Sequence, residues 1–297
     1  MGDSVQYYQP GSLADAVDRL KEADEAKIVA GGQSMMPLLR QGLISPDALV
    51  DITEIPDLDA VTVTDGTVEI GALVTYSELL ETEICADLDL LSDAVKAIGD
   101  VPVRNAGTIG GGVSHADPAQ DLPPALQCLD AKAVSFDGDE TRHHDLSEFF
   151  LDYYLTELEP HEIVTGIKFE RPPARAGGAY ASDTEAPGGW STAGVAALIV
   201  PDADDGETCT DAQLAYCAGA PVPKRVPEEI ESQLVGDRID RETVDEVAMA
   251  IVEDLELIDD VDDDVEYRKH LFRVMTKRAI TTALRRSDAP PLTEPAQ

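Results

Sequence analysis

The chain has 297 residues, 43% of them hydrophobic, which is enough for a packed core and for about two domains of the usual ~100–200 residues. Its 59 acidic residues outnumber the 22 Lys and Arg residues, and the formal net charge of −37 repels nucleic acid and anionic membranes, which excludes both as expected partners. No apolar run approaches the ~18 residues of a membrane span, and the first residues lack the basic and apolar regions of a signal peptide, so we expect a soluble, cytoplasmic protein.

The first hundred residues predict short helices and strands. Apolar residues recur at helical spacing over 12–24, where Ser12 is a favourable N-cap, so this segment predicts an amphipathic helix. A second helix is predicted over 87–99, and Gly99 suits the position just after its last turn. Strands are predicted in three apolar stretches, KIVA (27–30), LVDIT (49–53) and TVEIGALVT (67–75).

The remaining elements alternate irregularly, which favours the α+β class. A helix is predicted from DLPPALQCLD (121–130), whose prolines fall near its first turn. Further strands are predicted at 131–138, 162–173, 194–200 and 209–219, with a linker-like stretch at 171–178. Three helices are predicted at 227–235, 241–255 and 264–286, the last with Leu271, Val274, Met275 and Ala279 on one core-facing side.

Two glycine-rich segments are candidates for binding an anion: AGGQS at 30–34 and TIGGG at 108–112. Glycines let consecutive backbone N–H groups converge on an anion, and Ser34 and Thr108 can add hydroxyl donors, so the two loops together can hold a diphosphate. Each segment alone is also typical of a plain turn. The GxGxxG fingerprint fails because its third glycine would fall on His115, and the P-loop motif is absent.

The two segments in their context resemble a known family. VAGGQSMMPLL and GDVPVRNAGTIGGGVSHADPAQDLP are similar to the paired flavin motifs of the FAD-binding (medium) subunit of molybdenum hydroxylases, the family of carbon monoxide dehydrogenase and xanthine dehydrogenase. The resemblance extends over nearly the whole chain, through LVDI after the first motif, IGAL at 70–73 and EYRKHLFRVMTKRAI near the C-terminus.

The resemblance implies a two-lobed FAD-binding domain of the vanillyl-alcohol-oxidase type over residues 1–173, with lobes of about 1–55 and 56–173. A C-terminal α+β domain over 174–286, a small antiparallel sheet plus helices, follows it. The tail 287–297 is expected to be disordered.

The resemblance also implies non-covalent FAD and a set of cofactor-binding residues. The diphosphate motif is carried over to Val29, Ala30, Gly31, Gly32, Gln33, Ser34 and Met35, and the second motif to Thr108, Ile109, Gly110, Gly111 and Gly112. Asp121 corresponds to the aspartate of HADPAxD, Ile163 to a residue near the adenine, and Tyr180 to the tyrosine of a Tyr-x-Lys pair. Gly112 replaces the usual Asn and Ser182 the usual Lys, which leaves the redox potential and the electron acceptor open.

Three polar residues or groups near these motifs need an interpretation. His115 is either a flavin-attachment or acid/base group or a structural histidine, and we favour the structural interpretation because no nucleophile lies beside it in the sequence. Asp117 is expected to cap the turn before Pro118. The RHH run at 142–144 is interpreted as a surface turn.

The resemblance implies an electron-transfer flavoprotein subunit in a hetero-oligomer with a [2Fe–2S] small subunit and a molybdopterin large subunit. The four cysteines form no C-x-x-C pair, so metal sites in this chain are not expected. The alternatives are a self-contained flavin oxidase of the same fold and a non-redox nucleotide-binding module.

The acidic residues are dispersed along the chain rather than gathered in a tail. A dispersed excess of carboxylates suits a protein that works in concentrated salt, where the Debye length falls to ~3 Å at 1 M. A halophilic cytoplasm is therefore our hypothesis, and an acidic mesophilic protein is the alternative.

Overall fold

The computed structural model describes residues 5–206, 208–257 and 264–287. Over these residues the chain is α+β, with three sheets and one two-stranded hairpin. The predicted fold class is confirmed.

The first sheet is parallel and lies at the N-terminus. Its elements are β1 (Gln6–Tyr8), α1 (Leu13–Glu22), β2 (Ala26–Val29), α2 (Met35–Arg40) and β3 (Ala48–Asp51), and the strand order is β1-β3-β2. Helix α1 is confirmed as predicted, because the Ser12 hydroxyl accepts the N–H of Asp15 at 3.2 Å and Val17 and Leu20 are buried against Val50 of β3. Strand β2 is therefore an edge strand of a packed sheet, and the first glycine segment follows it directly in the chain.

The second sheet is antiparallel, and helices α3 to α8 lie between its second and third strands in chain order. Its elements are β4 (Val61–Thr64), β5 (Thr67–Gly71), α3 (Tyr76–Leu80), α4 (Glu83–Asp87), α5 (Asp89–Ala97), α6 (Val101–Arg104), α7 (Ile109–His115), α8 (Leu122–Cys128), β6 (Lys132–Phe136), β7 (Thr141–Asp145), α9 (Leu146–Phe149), β8 (Phe150–Asp152), β9 (Leu155–Thr156) and β10 (Ile163–Glu170). The strand order is β4-β5-β10-β6-β7, with β8 and β9 as the separate hairpin. Gly99 follows α5 with a φ of 46°, which confirms the predicted helix end.

The interpretation of residues 142–144 as a surface turn is wrong. These residues lie in β7, and the side chain of His144 is buried. Its Nε2 lies 2.8 Å from the Ser135 hydroxyl and 3.1 Å from Glu162, and its Nδ1 lies 3.1 Å from Glu157. A polar run can enter a sheet interior when its polar atoms find partners there, which sequence composition does not reveal.

The third sheet is antiparallel and is covered by the C-terminal helices. Its elements are β11 (Gly177–Thr184), β12 (Ser191–Pro201), β13 (Cys209–Cys217), β14 (Lys224–Arg225), α10 (Glu228–Glu231), a 3₁₀ turn (Ser232–Leu234), α11 (Arg241–Asp254) and α12 (Val265–Arg286). The strands follow in the order β11-β12-β13-β14. Leu271, Met275 and Ala279 of α12 are buried as predicted and Val274 is half-buried. The linker prediction for 171–178 misses the start of β11, because GGAYASDT lacks the large apolar residues that mark a strand.

The second and third sheets are joined by polar contacts as well as by apolar packing. Arg286 at the end of α12 donates to Asp93 of α5 at 2.5 Å and to the Gly178 carbonyl at 3.0 Å. The buried amide of Gln127 donates to the carbonyls of Leu146 and Pro223, both at 3.0 Å. The second sheet and its helices are thereby fixed against the third sheet.

The predicted boundaries near residues 55 and 173 fall between sheets, the first between β3 and β4 and the second between β10 and β11. The division into domains stays a prediction. Residues 288–297 of the predicted tail lie outside the described residues.

None of the helices among the described residues is long and apolar enough to cross a membrane.

The close packing of β11 on α12 makes a testable prediction at Gly177. A Cβ on Gly177 would lie 2.0 Å from the Ala283 carbonyl oxygen and 2.3 Å from the Ser287 nitrogen, so Gly177→Ala must push α12 away. We expect a loss of about 1–3 kcal/mol in the free energy of unfolding, measured by urea denaturation. The matched control is Gly11→Ala, because nothing lies within 4 Å of a Cβ there. Equal effects from the two variants would contradict the packing.

Candidate FAD-binding site

The first glycine segment connects β2 to α2. Val29 ends the strand, Met35 begins the helix, and Gly32 between them has a φ of 70°, which favours glycine. The backbone N–H groups from Gly31 to Met35 have no backbone acceptor among the described residues. Consecutive N–H groups without a protein acceptor form a concave site for an anion such as a phosphate.

The second glycine segment has a different role, because it forms the first turn of helix α7. Thr108 caps this helix, its hydroxyl accepting the N–H of Gly111 at 3.2 Å. The N–H of Ile109 is bonded to Val74 and that of Gly110 to Ala72, and the N–H of Gly112 bonds Thr108 itself. The expectation that this segment offers a second open set of N–H groups is therefore wrong, because the helix and the neighbouring chain already use them.

Glycines of both segments instead allow close packing, between the two motifs and against their neighbours. A Cβ on Gly31 would lie 1.8 Å from the carbonyl oxygen of Ala106, so the two motifs touch through their backbones. The Cβ of Ala30 lies 3.8 Å from where a Cβ on Gly111 would be. A Cβ on Gly110 would meet Ala72 at 2.5 Å. The structure thus brings together two segments that lie far apart in the sequence.

Gly112 is enclosed by a residue that the sequence patterns do not single out. A Cβ on Gly112 would lie 2.2 Å from the hydroxyl of Tyr76 and 3.5 Å from Oε1 of Gln120. The Asn that the family resemblance would place at this position does not fit beside this tyrosine. Tyr76 is buried, and burial together with the charge of Asp121 raises the pKa of its hydroxyl well above the ordinary value.

Asp121 precedes α8 and is only 4% exposed. Its Oδ1 accepts hydrogen bonds from the Tyr180 hydroxyl at 2.7 Å and from the Ser191 hydroxyl at 2.5 Å. Burial raises the pKa of Asp121, and these two hydrogen bonds oppose that rise. The sequence-predicted residues Asp121 and Tyr180 therefore meet, and Ser191 joins them as a residue that sequence reasoning missed. The only feature of the sequence that could have pointed to Ser191 is its position just before the small and apolar residues of β12.

Ile163 does not belong to the Asp121 cluster. Its side chain is buried in the same apolar cluster as Val17 and Val50, and Ala30 of the first glycine segment packs against that cluster. A role near an adenine stays a prediction.

A cavity of about 460 Å³ adjoins the Asp121 cluster. Its lining includes Ser191, Trp190, Tyr153, Pro118, Ala218 and Arg268. The Trp190 and Tyr153 rings are 57% and 44% exposed, and an aromatic pair of this kind can contact a flat ring system. Because Ser191 belongs both to the cavity wall and to the Asp121 cluster, the buried carboxylate lies directly behind the cavity.

His115 lies at the end of α7, half-buried against the ring of Tyr154, with 5.2 Å between the ring centroids. Burial lowers the pKa of His115, and the charge of Asp117 opposes that effect. Asp117 accepts the N–H of Ala119 at 2.9 Å, which confirms the predicted capped turn. The packing against Tyr154 agrees with a structural histidine.

The comparisons with known proteins agree with this geometry. Residues 3–171 match the family described as the FAD binding domain in molybdopterin dehydrogenase, and residues 185–283 match the CO dehydrogenase flavoprotein C-terminal domain. The chain belongs to the FAD-binding molybdopterin dehydrogenase family. It is thus an FAD-binding oxidoreductase subunit, and the family resemblance seen in the sequence is confirmed.

Relatives and solved structures match nearly the full length of the chain. The carbon monoxide dehydrogenase medium chain of Hydrogenophaga pseudoflava is 32% identical over 94% of this chain and 96% of its own. The glyceraldehyde dehydrogenase medium chain of Sulfolobus acidocaldarius is 31% identical over 92% and 96%. The solved structure of carbon monoxide dehydrogenase from Hydrogenophaga pseudoflava, 31% identical, superposes with a TM-score of 0.91 and covers 97% of this chain and 99% of that chain.

The open N–H groups of the first glycine segment predict a charge-specific effect at Ser34. This residue is half-buried at the start of α2 and its side chain makes no capping hydrogen bond, so its replacement leaves the helix intact. Ser34→Glu places a carboxylate among donors that would hold a phosphate, and Ser34→Gln adds nearly the same volume without charge. We expect the Glu variant to bind FAD at least ten-fold more weakly than the Gln variant, roughly 1.4 kcal/mol or more, measured by flavin fluorescence titration.

Equal FAD affinity of these two variants would contradict the phosphate assignment. Glycine replacements are a poorer test here, because a side chain at Gly32 is strained by its φ of 70° and a Cβ at Gly111 would lie 2.8 Å from the Thr108 hydroxyl.

Proposed function

We propose that the chain is the electron-transfer flavoprotein subunit of a multi-subunit molybdenum hydroxylase. It takes electrons from the [2Fe–2S] clusters of a small partner subunit and passes them through non-covalent FAD to an external acceptor. A large molybdopterin subunit completes the enzyme. The observation that carries the proposal is the open run of N–H groups from Gly31 to Met35, packed directly against the glycine turn of α7.

Different residues contact different parts of the cofactor. Residues 29–35 bind the diphosphate, and residues 108–112 lie beside it, with Gly111 in contact with Ala30. Asp121 accepts a hydrogen bond from the flavin end of FAD, and the cavity with Trp190 and Tyr153 receives the ring. FAD, when bound, supplies the exchange between one-electron donors and two-electron chemistry.

The need for partner subunits rests on what this chain carries. The part of the chain that the structure describes holds no group of three or more His, Cys, Asp or Glu side chains placed to bind a metal ion. Its cysteines are buried, and burial raises the pKa of the Cys85 and Cys209 thiols to about 11, which disfavours the thiolate that ligates iron. Iron and molybdenum therefore belong to other chains, as the name "medium chain" of the relatives suggests.

The subunit composition is tested by purification. We expect a tagged form of the chain, isolated from its native cells, to bring down two further chains together with iron, molybdenum and FAD. The chain produced alone should carry FAD and no stoichiometric metal, because no metal-binding group is present among the described residues. Metal and flavin analysis of both preparations gives the measurement.

Three results would contradict this proposal. An iron–sulfur cluster in the isolated chain would contradict the assignment of the metal centres to partner subunits. Reduction of its flavin by a small substrate without partners would favour the self-contained oxidase. A protein that binds nucleotides without flavin would favour the non-redox module.

We also propose that the protein works in a salt-rich cytoplasm, since its net charge of −37 is spread over the whole chain. Self-repulsion of like charges destabilises the compact state, and the Debye length falls from ~10 Å at 0.1 M salt to ~3 Å at 1 M. We expect the melting temperature and the retention of FAD to rise between dilute buffer and molar KCl. A flat or falling melting temperature would contradict the halophilic assignment and leave the FAD proposal intact.

Acid titration in dilute buffer is the control for this prediction. Protonation of surface carboxylates should partly replace the effect of salt until groups that need their charge are neutralised. Glu162 is one such group: burial raises its pKa, but the Ser135 hydroxyl, the Glu159 N–H and His144 outweigh burial and hold the pKa below its ordinary value. Its ionisation therefore stabilises the fold above the unfolded-state pKa, and this contribution is lost as the pH falls through the folded-state value.

A further inference from the structure

Asp121 is a buried carboxylate without a cationic partner. Its side-chain donors among the described residues are the Tyr180 and Ser191 hydroxyls, and no salt bridge joins it to a Lys, Arg or His there. Both hydroxyls bond the same oxygen, Oδ1. A buried carboxylate is costly unless its oxygens accept hydrogen bonds, so Oδ2 is left as an acceptor for a group outside the described side chains.

The two hydroxyls come from the third sheet, whereas Asp121 precedes helix α8 of the second. Tyr180 lies in β11 and Ser191 begins β12. The hydroxyl of Tyr180 fits because the residue facing it is a glycine: a Cβ on Gly194 would lie 2.0 Å from that oxygen. We call Tyr180 and Ser191 the hydroxyl pair. The site is built by packing from two parts of the chain, not by a local turn.

Three groups that interact with Asp121 stay neutral. Tyr76 faces it from α3, and Tyr180 and Cys217 face it from β11 and β13. Burial raises the pKa of all three above the ordinary values, so none is charged near neutral pH. Charged groups lie further out, with Asp117 acting on Cys217 and with Glu185 and Arg268 in the cavity wall. The variant Asp121→Asn therefore separates the titration of Asp121 from that of these neighbours.

We propose that Ser191 and Tyr180 are positioning residues, which hold Oδ1 of Asp121 and keep the carboxylate charged so that Oδ2 accepts a hydrogen bond from FAD. The inference rests on the proposed FAD site and deepens it. Ser191 also lines the cavity, so one of the two donors to Asp121 belongs to the wall of the space proposed for the flavin ring. The hydroxyl pair acts on FAD through Asp121 and does not itself contact the reacting atoms.

The consequence is a pH dependence whose sign follows from the contacts. Burial raises the pKa of Asp121, and the hydroxyl pair counteracts burial by stabilising the charged form. Removal of one hydroxyl raises that pKa further. In such a variant, Asp121 is protonated at a higher pH than in the wild type when the solution is acidified. The variant therefore loses its acceptor for FAD at that higher pH.

The experiment measures FAD retention of the flavin-loaded full chain across a pH series, from flavin absorbance after desalting. We expect the midpoint of FAD release to move upward by about one pH unit in Ser191→Ala and in Tyr180→Phe, the effect of losing one hydrogen bond to a charged group. Ser191→Thr keeps a hydroxyl and is expected to retain the wild-type midpoint. Asp121→Asn, which cannot titrate, should bind FAD weakly and show no step at this pH.

The matched controls make the same chemical changes elsewhere. Tyr216→Phe removes a buried hydroxyl that bonds Asp254, and Ser135→Ala removes a buried hydroxyl that bonds His144 and Glu162. Both controls are expected to lower thermal stability without moving the FAD midpoint. A midpoint in Ser191→Ala and Tyr180→Phe equal to the wild-type value, or a wild-type midpoint in Asp121→Asn, would overturn the inference. A wild-type chain that binds no FAD at any pH would instead overturn the proposed function.

Discussion

The site depends on one close contact, that of Gly31 against the Ala106 carbonyl. A single Cβ at Gly31 would come within 1.8 Å of that oxygen, so the first sheet and the α7 segment can meet only because this position has no side chain. The contact aligns the end of β2 with the start of α7. The open N–H groups of one segment then lie beside the small residues of the other.

The two motifs look alike in composition but do different work. In the first, the backbone donors remain available because the chain turns through Gly32 before a new helix begins. In the second, the helix cap at Thr108 and the neighbouring carbonyls of Ala72 and Val74 consume the donors. In the first motif, Gly32 leaves the donors open and Gly31 permits the close approach of two backbones. In the second, Gly110 and Gly112 let the first turn of α7 pack closely against Ala72 and Tyr76.

The strong negative charge of the protein does not prevent it from binding an anionic cofactor. Surface carboxylates act over distances at which salt screens them, whereas N–H donors act at hydrogen-bonding distance and are hardly screened. Asp121, which we propose to lie at the flavin end, is buried and bonded to hydroxyls from the third sheet. The contacts of Arg286 with Asp93 and Gly178 hold that sheet in position.

The sequence by itself determined the local elements and the two motifs, because their signals are short-range. The apolar spacing and the Ser12 cap of α1, the glycine after α5 and the glycines of the motifs are all readable within a few residues. Only the tertiary structure decided that Ser191 and Tyr180 share one oxygen of Asp121, that Tyr76 fills the space beside Gly112, and that His144 is buried. Each of these contacts joins residues far apart in the chain, and hydrogen bonding between them leaves no periodic trace in the sequence.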